Sequence, residues 1–295
     1  MYTLFHKIQK KAKNQSIFAI GIPALIWQSI FFYLPLFLVL ITSVIKLSDD
    51  GVFQGLTFQN FTPLFSRVHF GIIFGSLSTA LLSALLCLLI AFPLAHFIAF
   101  QGKRYKTFLL FLLIVPFWTN FLLHVYAWFF VLERDGFLNN LLLSLHLITE
   151  PIHFLNSFFA IVLMMVYCYL PFMVLPIFSS LERFDRHLID VSSNLGASYL
   201  QTLRNIILPL TLPAIRTGFF LVFIPAFGEF IIPEFMGGDK RYFVGNVVSQ
   251  YFLGDDTGEL GAAFMILCCI SLILSTVGIY ILFKKITKSL ARGVK

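Results

Sequence analysis

The sequence predicts an all-α membrane protein of six transmembrane helices, and three observations carry that prediction. Hydrophobic residues make up 59% of the 295 positions and charged residues only 12%, against about a quarter charged in soluble domains, and the mean hydropathy is +0.90. Six long apolar runs take up most of the chain, each near the roughly 20 residues that a bilayer core of about 30 Å requires. Basic residues fall unevenly on alternate connecting segments. A soluble enzyme is excluded, and the continuity of the runs excludes the short alternating strands of a β-barrel.

The first run, 17 to 45, follows Lys7, Lys10, Lys11 and Lys13. It exceeds the roughly 7 to 15 apolar residues of a signal peptide, so it reads as a membrane anchor. The next runs cover 70 to 100 and 107 to 132. Phe137 to Ile148 is apolar but too short to cross, which puts it at the outer interface or folds it back into the bundle. Runs at 158 to 180, 210 to 233 and 260 to 283 complete the six. The resulting division is a segment 1–16, a six-helix domain 17–283 with a long polar loop 181–209, and a tail 284–295. Cys87, Cys168, Cys268 and Cys269 all sit in apolar runs and read as small core or lipid-facing residues.

With the N-terminus inside, sixteen of the 21 basic residues lie on inner segments and five on outer ones. That asymmetry predicts both termini in the cytoplasm. Ten of the 14 acidic residues lie outside, three inside, and Glu229 lies within the fifth run. Positive-inside bias and anionic lipid headgroups account for the basic inner face, so no nucleic-acid partner is expected. No phosphate-binding Gly-Lys loop, dinucleotide fingerprint or His-Glu zinc motif occurs, so neither a catalytic residue nor a metal site is expected on this chain.

The loop 181–209 carries the most specific pattern. Asp185 is placed to cap a helix, and Leu188, Val191, Leu195, Tyr199 and Thr202 or Leu203 recur at helical spacing, predicting a short amphipathic helix or helix pair interrupted at Gly196. Taken alone, such a pair also suits a helix lying on the lipid surface. Asp190-Val191-Ser192-Ser193-Asn194-Leu195-Gly196, followed by Ile206-Ile207-Leu208-Pro209, resembles the EAA loop of ABC-importer permeases, with Asp, Val and Ser in place of Glu, Ala and Ala.

Further stretches are similar to the B-type permeases of that family's polyamine branch. They are Leu110 to Asn120, Leu170 to Pro176, Gly196 to Pro213, Phe235 to Gly238 and Gly245 to Val248. The resemblance implies the type I (MetI-like) importer permease fold in a bacterial inner membrane and a role in importing spermidine or putrescine. It implies as partners a second permease, two ATPase subunits and a periplasmic polyamine-binding protein, with lipid around the bundle. No cofactor is implied on this chain, since ATP and Mg are used by the ATPase. Asp190, Val191, Ser192, Leu195, Gly196, Ala197, Ile206, Leu208 and Pro209 are the implied ATPase-coupling residues. Branches handling ferric iron, sulfate or other solutes share the loop, so they stand as the alternative substrate classes.

The path is read from chemistry. Glu229 is an ionisable residue inside a span, which needs a cavity or a partner, and a structural hydrogen bond is its bland explanation. Pro225, Gly228 and Pro233 around it predict a local break or hinge, the prolines freeing the carbonyls of Leu221 and Glu229 if that segment is helical. Phe223, Phe227 and Phe230 offer cation-π faces. Trp118, Thr119 and Asn120 follow Pro116 in the third span and are the other candidate path residues, beside His124, Tyr126 and Trp128. A proton-coupled secondary transporter would use Glu229 and the histidines as a relay, but that class commonly shows internal repeats and none is evident here. A scaffold that only anchors other subunits is the third reading.

Overall fold

A computed structural model describes residues 21–47, 53–238, 241–254 and 258–292. The expected N-terminal segment 1–16 and the last three residues of the tail lie outside these. The described residues form two compact units, one from those within 21–65 and 251–267, the other from those within 66–250 and 268–292.

In the first unit, helix α1 (Gly21–Thr42) leads into a two-stranded antiparallel hairpin, β1 (Ile45–Leu47) and β2 (Phe53–Leu56). Hydropathy alone gave no sign of this pair. Asn60 fastens the chain after β2 by donating from Nδ2 to the carbonyls of Ser43 at 3.1 Å and Ile45 at 2.9 Å. The middle of α1, Ser29–Tyr33, widens into a π turn just before Pro35. Proline lacks an N–H and crowds the carbonyl four residues back, and a wider turn relieves that conflict.

The second unit is a helical bundle built on α2 (Arg67–Phe100), α6 (Phe158–Glu182) and α8 (Tyr199–Phe227), which pack on one another. To their contact α2 brings mainly small residues. Ser76, Thr79, Ala80, Ser83, Ala84, Cys87, Ala91 and Ala95 form a buried face along α2, which lets backbones approach closely where the lipid gives no hydrophobic drive between helices. Across that face Ser83 Oγ lies 3.4 Å from Met165 Sδ, and Cys87 Sγ lies 3.7 Å from the Val166 carbonyl. Between α6 and α8, a Cβ on Gly218 would fall 2.9 Å from Met173 Sδ and 3.1 Å from its carbonyl oxygen.

The third expected span, 107 to 132, is not one helix. It is α3 (Lys106–Trp118) and α4 (Phe121–Leu132), and the chain bends by 96° between Lys106–Trp118 and Phe121–Ser144. The apolar segment beyond it forms α5 (Phe137–Ser144), anchored by the buried Asn139, whose side chain both donates to and accepts from the Ile152 backbone at 2.9 Å. Helix α7 (His187–Asn194) precedes α8, and α9 (Ile231–Gly237) and α10 (Val244–Leu253) follow it. The last helix, α11 (Gly258–Arg292), runs past residue 283, so the described part of the expected tail continues the sixth span.

Candidate functional site

Two spans break, and a cavity lies between the breaks. In the third span, Pro116 sits in a tight turn at the end of α3, Thr119 is extended, and Asn120 caps α4 by accepting from the Leu122 N–H at 2.9 Å. The Thr119 hydroxyl donates to the Pro116 carbonyl at 2.8 Å. His124 Nε2 reaches the same carbonyl at 2.8 Å and also contacts Thr119 Oγ1, while Nδ1 lies 3.0 Å from the Tyr167 hydroxyl on α6. A carbonyl only accepts, so in the neutral ring Nε2 carries the proton and Nδ1 accepts from Tyr167.

In the fifth span, α8 ends at Phe227, and Glu229 and Phe230 leave the helix before α9 begins. The first N–H groups of a helix have no partner within it, and the Glu229 carboxylate supplies one. Its Oε1 accepts from the N–H groups of Phe230 at 3.1 Å, Ile231 at 3.1 Å and Ile232 at 3.5 Å. Its Oε2 accepts from the Tyr169 hydroxyl at 2.7 Å. The negative charge also suits the positive end of the helix dipole. Gly245 closes the break from outside, since a Cβ there would lie 2.6 Å from the Gly228 carbonyl oxygen and 2.8 Å from that of Glu229. Beside it, Asn246 Nδ2 donates to the Phe230 carbonyl at 3.2 Å and to Glu234 at 2.6 Å.

The cavity has a volume of about 700 Å³ and an apolar wall, broken by Thr119, His124, Tyr167, Tyr169 and Glu229. Phe117, Phe172 and Phe230 supply ring faces and edges, with Phe117 and Phe172 edge to face at 5.1 Å. Of the residues picked out from sequence, Glu229, Thr119, His124, Phe230, Pro225 and Gly228 line it. The others stand elsewhere. Trp118 is 78% exposed, its ring against Phe111, and Asn120 serves as a helix cap. Phe223 and Phe227 are 1% and 4% exposed and pack in the core. Pro233 is buried in the first turn of α9, where no helical hydrogen bond is lost, so it does not free the Glu229 carbonyl.

Tyr167 and Tyr169 were not singled out from the sequence. They sit inside an apolar run, and the only local signal is Pro171 just beyond them, a residue that interrupts the helical hydrogen bonding of the Tyr167 carbonyl.

The loop between the fourth and fifth spans is a helix–turn–helix. The Asp185 carboxylate accepts from the His187 N–H at 3.0 Å and starts α7. Gly196 ends it at φ +80, with Gly196 N–H to Ser193 O at 2.9 Å and Ala197 N–H to Ser192 O at 3.1 Å, the paired bonds of a Schellman turn. Ser198 and Gln201 form a reciprocal cap that starts α8. Ser192 is buried, its hydroxyl 2.8 Å from that of Thr202, so it ties the two arms together. Val191, Leu195 and Leu200 point outward, Leu195 with 82% of its surface exposed. Asp190 is exposed, and Ala197, Ile206, Leu208 and Pro209 are half-buried. A second π turn, Leu203–Ile207, precedes Pro209, as the first precedes Pro35.

A bundle with two broken spans around a cavity, and a polar loop that exposes Val191, Leu195 and Leu200, is a fold that suits membrane transport. Residues 88–292 match the family described as binding-protein-dependent transport system inner membrane component. The chain belongs to that family and is an inner-membrane transport component, not an enzyme. It is 40% identical over 239 residues to the spermidine/putrescine transport system permease protein PotB of Escherichia coli strain K12, covering 80% of this chain and 86% of that protein. With the PotB of Haemophilus influenzae it shares 35% identity over 241 residues, covering 81% and 84%. Among solved structures it is similar to a chain of a bacterial alginate ABC transporter, in complex with an alginate pentasaccharide-bound periplasmic protein. The TM-score is 0.75 at 18% identity, covering 95% of this chain and 98% of that one, a likeness of fold.

Proposed function

We propose that this chain is a permease subunit of an ATP-driven importer of spermidine or putrescine. The observation that carries the cationic substrate is the Glu229 carboxylate, the one carboxylate on the wall of a mainly apolar and aromatic cavity. An alkylammonium chain presents separated positive charges joined by methylenes, and it suits a carboxylate among aromatic rings. The names of the relatives agree with that chemistry.

In this reading the basic ends of the bundle face the cytoplasm, following the charge asymmetry. A second permease completes the path, a periplasmic binding protein delivers substrate, and two ATPase subunits dock on Val191, Leu195 and the turn at Gly196. Closure of the ATPases pulls the loop and rocks the helices between inward-open and outward-open states, with Gly228 and the unwound residues after it giving way as the hinge. ATP and Mg act on the ATPase.

The test is uptake of labelled spermidine into proteoliposomes holding the chain with its partners, binding protein outside and ATP on the ATPase side. ATP-dependent accumulation that unlabelled putrescine competes away is the expected result. ATPase stimulation without polyamine uptake keeps the importer and discards the substrate.

A further inference from the structure

The long helix α2 ends at Phe100, and like any helix it leaves its last carbonyls without helical partners. The Phe97 carbonyl is taken by the N–H groups of Gln101 and Gly102. The Ala99 carbonyl is taken by a residue 87 positions away, Arg186, whose Nη2 donates to it at 3.1 Å. The same guanidinium lies 5.5 Å over the Phe100 ring, and that ring meets Phe184 edge to face at 6.2 Å. A cation at this end of a helix also offsets the negative pole of its dipole.

One turn earlier on α2, His96 Nε2 lies 2.9 Å from the Tyr199 hydroxyl, and the His96 ring packs 4.7 Å from Phe100. Arg186 stands at the start of α7 and Tyr199 at the start of α8, so the two contacts come from opposite sides of the Gly196 turn. The buried Ser192 to Thr202 bond holds these arms together.

We propose that Arg186 and Tyr199 clasp the last turn of α2, so that the loop and the end of α2 move as one body and a pull on the loop enters the bundle through α2. The small-residue face of α2 then passes the displacement to α6, which carries Tyr167 and Tyr169 on the cavity wall. Arg186 and Tyr199 are positioning residues, touching neither substrate nor nucleotide. The proposal rests on the reading of the loop as the ATPase dock.

The experiment uses the full complex in proteoliposomes. Arg186→Met keeps the stem and Tyr199→Phe keeps the ring, so the double variant removes the two polar contacts together with the Arg186 charge and its place over the Phe100 ring. The expected result is normal co-purification of the ATPase subunits and continuing ATP hydrolysis, with spermidine moved per ATP falling about fivefold or more, the low end of a usual coupling between sites. An unchanged ratio overturns the clasp. So does loss of the ATPase from the complex, which assigns the two residues to assembly alone.

A second measurement needs no substrate. In a background lacking the native cysteines, spin labels replace the exposed Phe97 and Leu200 and leave the clasp intact. Their separation is expected to stay constant between ATP-free and vanadate-trapped states, and a shift overturns the proposal. Leu195→Glu, on the outward face of the loop, tests the dock separately. A complex that keeps its ATPase in that variant fails the docking reading, whereas the label distance still reports on the clasp.

Discussion

Tyr169 of α6 donates its hydroxyl to Glu229 at 2.7 Å, so a residue of the fourth span holds the carboxylate that caps the helix beyond the break in the fifth. One side chain thus serves the fold through Oε1 and faces the cavity with its charge. Glu229→Gln separates the two roles, because the amide oxygen still accepts from the α9 backbone. Membrane levels are expected to stay near wild type while spermidine uptake falls about tenfold or more, the scale of one lost hydrogen bond to a charged group. Unchanged uptake removes the carboxylate from the path.

Gly196 is required for its backbone, since a Cβ there would meet nothing within 4 Å but φ is +80. A left-handed conformation costs an ordinary residue about 1–2 kcal/mol, and Asn bears it best. Binding-protein-stimulated ATP hydrolysis and uptake are therefore expected to rank Gly196→Asn above Gly196→Ala, and Gly196→Ala above Gly196→Val. The reverse order, measured at equal protein levels, would assign the turn's importance to space.

Gly218 is required for room. Gly218→Ala is expected to lower thermal stability in detergent by about 1–3 kcal/mol, as overpacking does. Met173→Ala should not restore it, because the Met173 carbonyl and Cα stay within 3.1 and 3.2 Å of the new methyl. Full rescue would show that only the flexible sulfur was in the way.

Asn120 and Thr119 fix the bend in the third span. Asn120→Ala removes a cap and is expected to cost about 1 kcal/mol. Thr119→Val deletes the hydroxyl shared with Pro116 and His124 and is expected to cost about as much again. A melting curve of each purified variant checks this, and two unchanged midpoints would place the origin of the bend in Pro116 alone.

Composition and periodicity were enough to read the five long apolar helices, the bent pair that makes a sixth if it counts as one span, and the helix pair of the loop, because hydrophobic length and turn chemistry are local properties. Gly196 declared itself by interrupting a helical repeat, and Asp185 by preceding one. The 96° bend did not, since Thr119 and Asn120 interrupt the apolar run without saying whether they face a path or end a helix. Glu229 was conspicuous as a charge in a span, but its capping of α9 depends on where Gly245 and Tyr169 arrive. Phe223 and Phe227 share helical spacing with every other ring in a chain of 37 phenylalanines, and only packing distinguishes a core ring from a lining one.

The π turn at Leu203–Ile207 sets the azimuth of the loop. A wide turn takes in an additional residue, and at 3.6 residues per turn each residue is worth about 100° of rotation about the helix axis. If the turn tightened to α geometry, Tyr199 and all that precedes it would swing around the axis while Leu208 to Phe227 kept their places against α2 and α6. The phase between the loop and the bundle is therefore held by a stretch of five residues next to a proline. A one-residue deletion there would take out the additional residue and let the turn close to α geometry with the outward leucines on their present bearing, whereas the same closure without a deletion would move them.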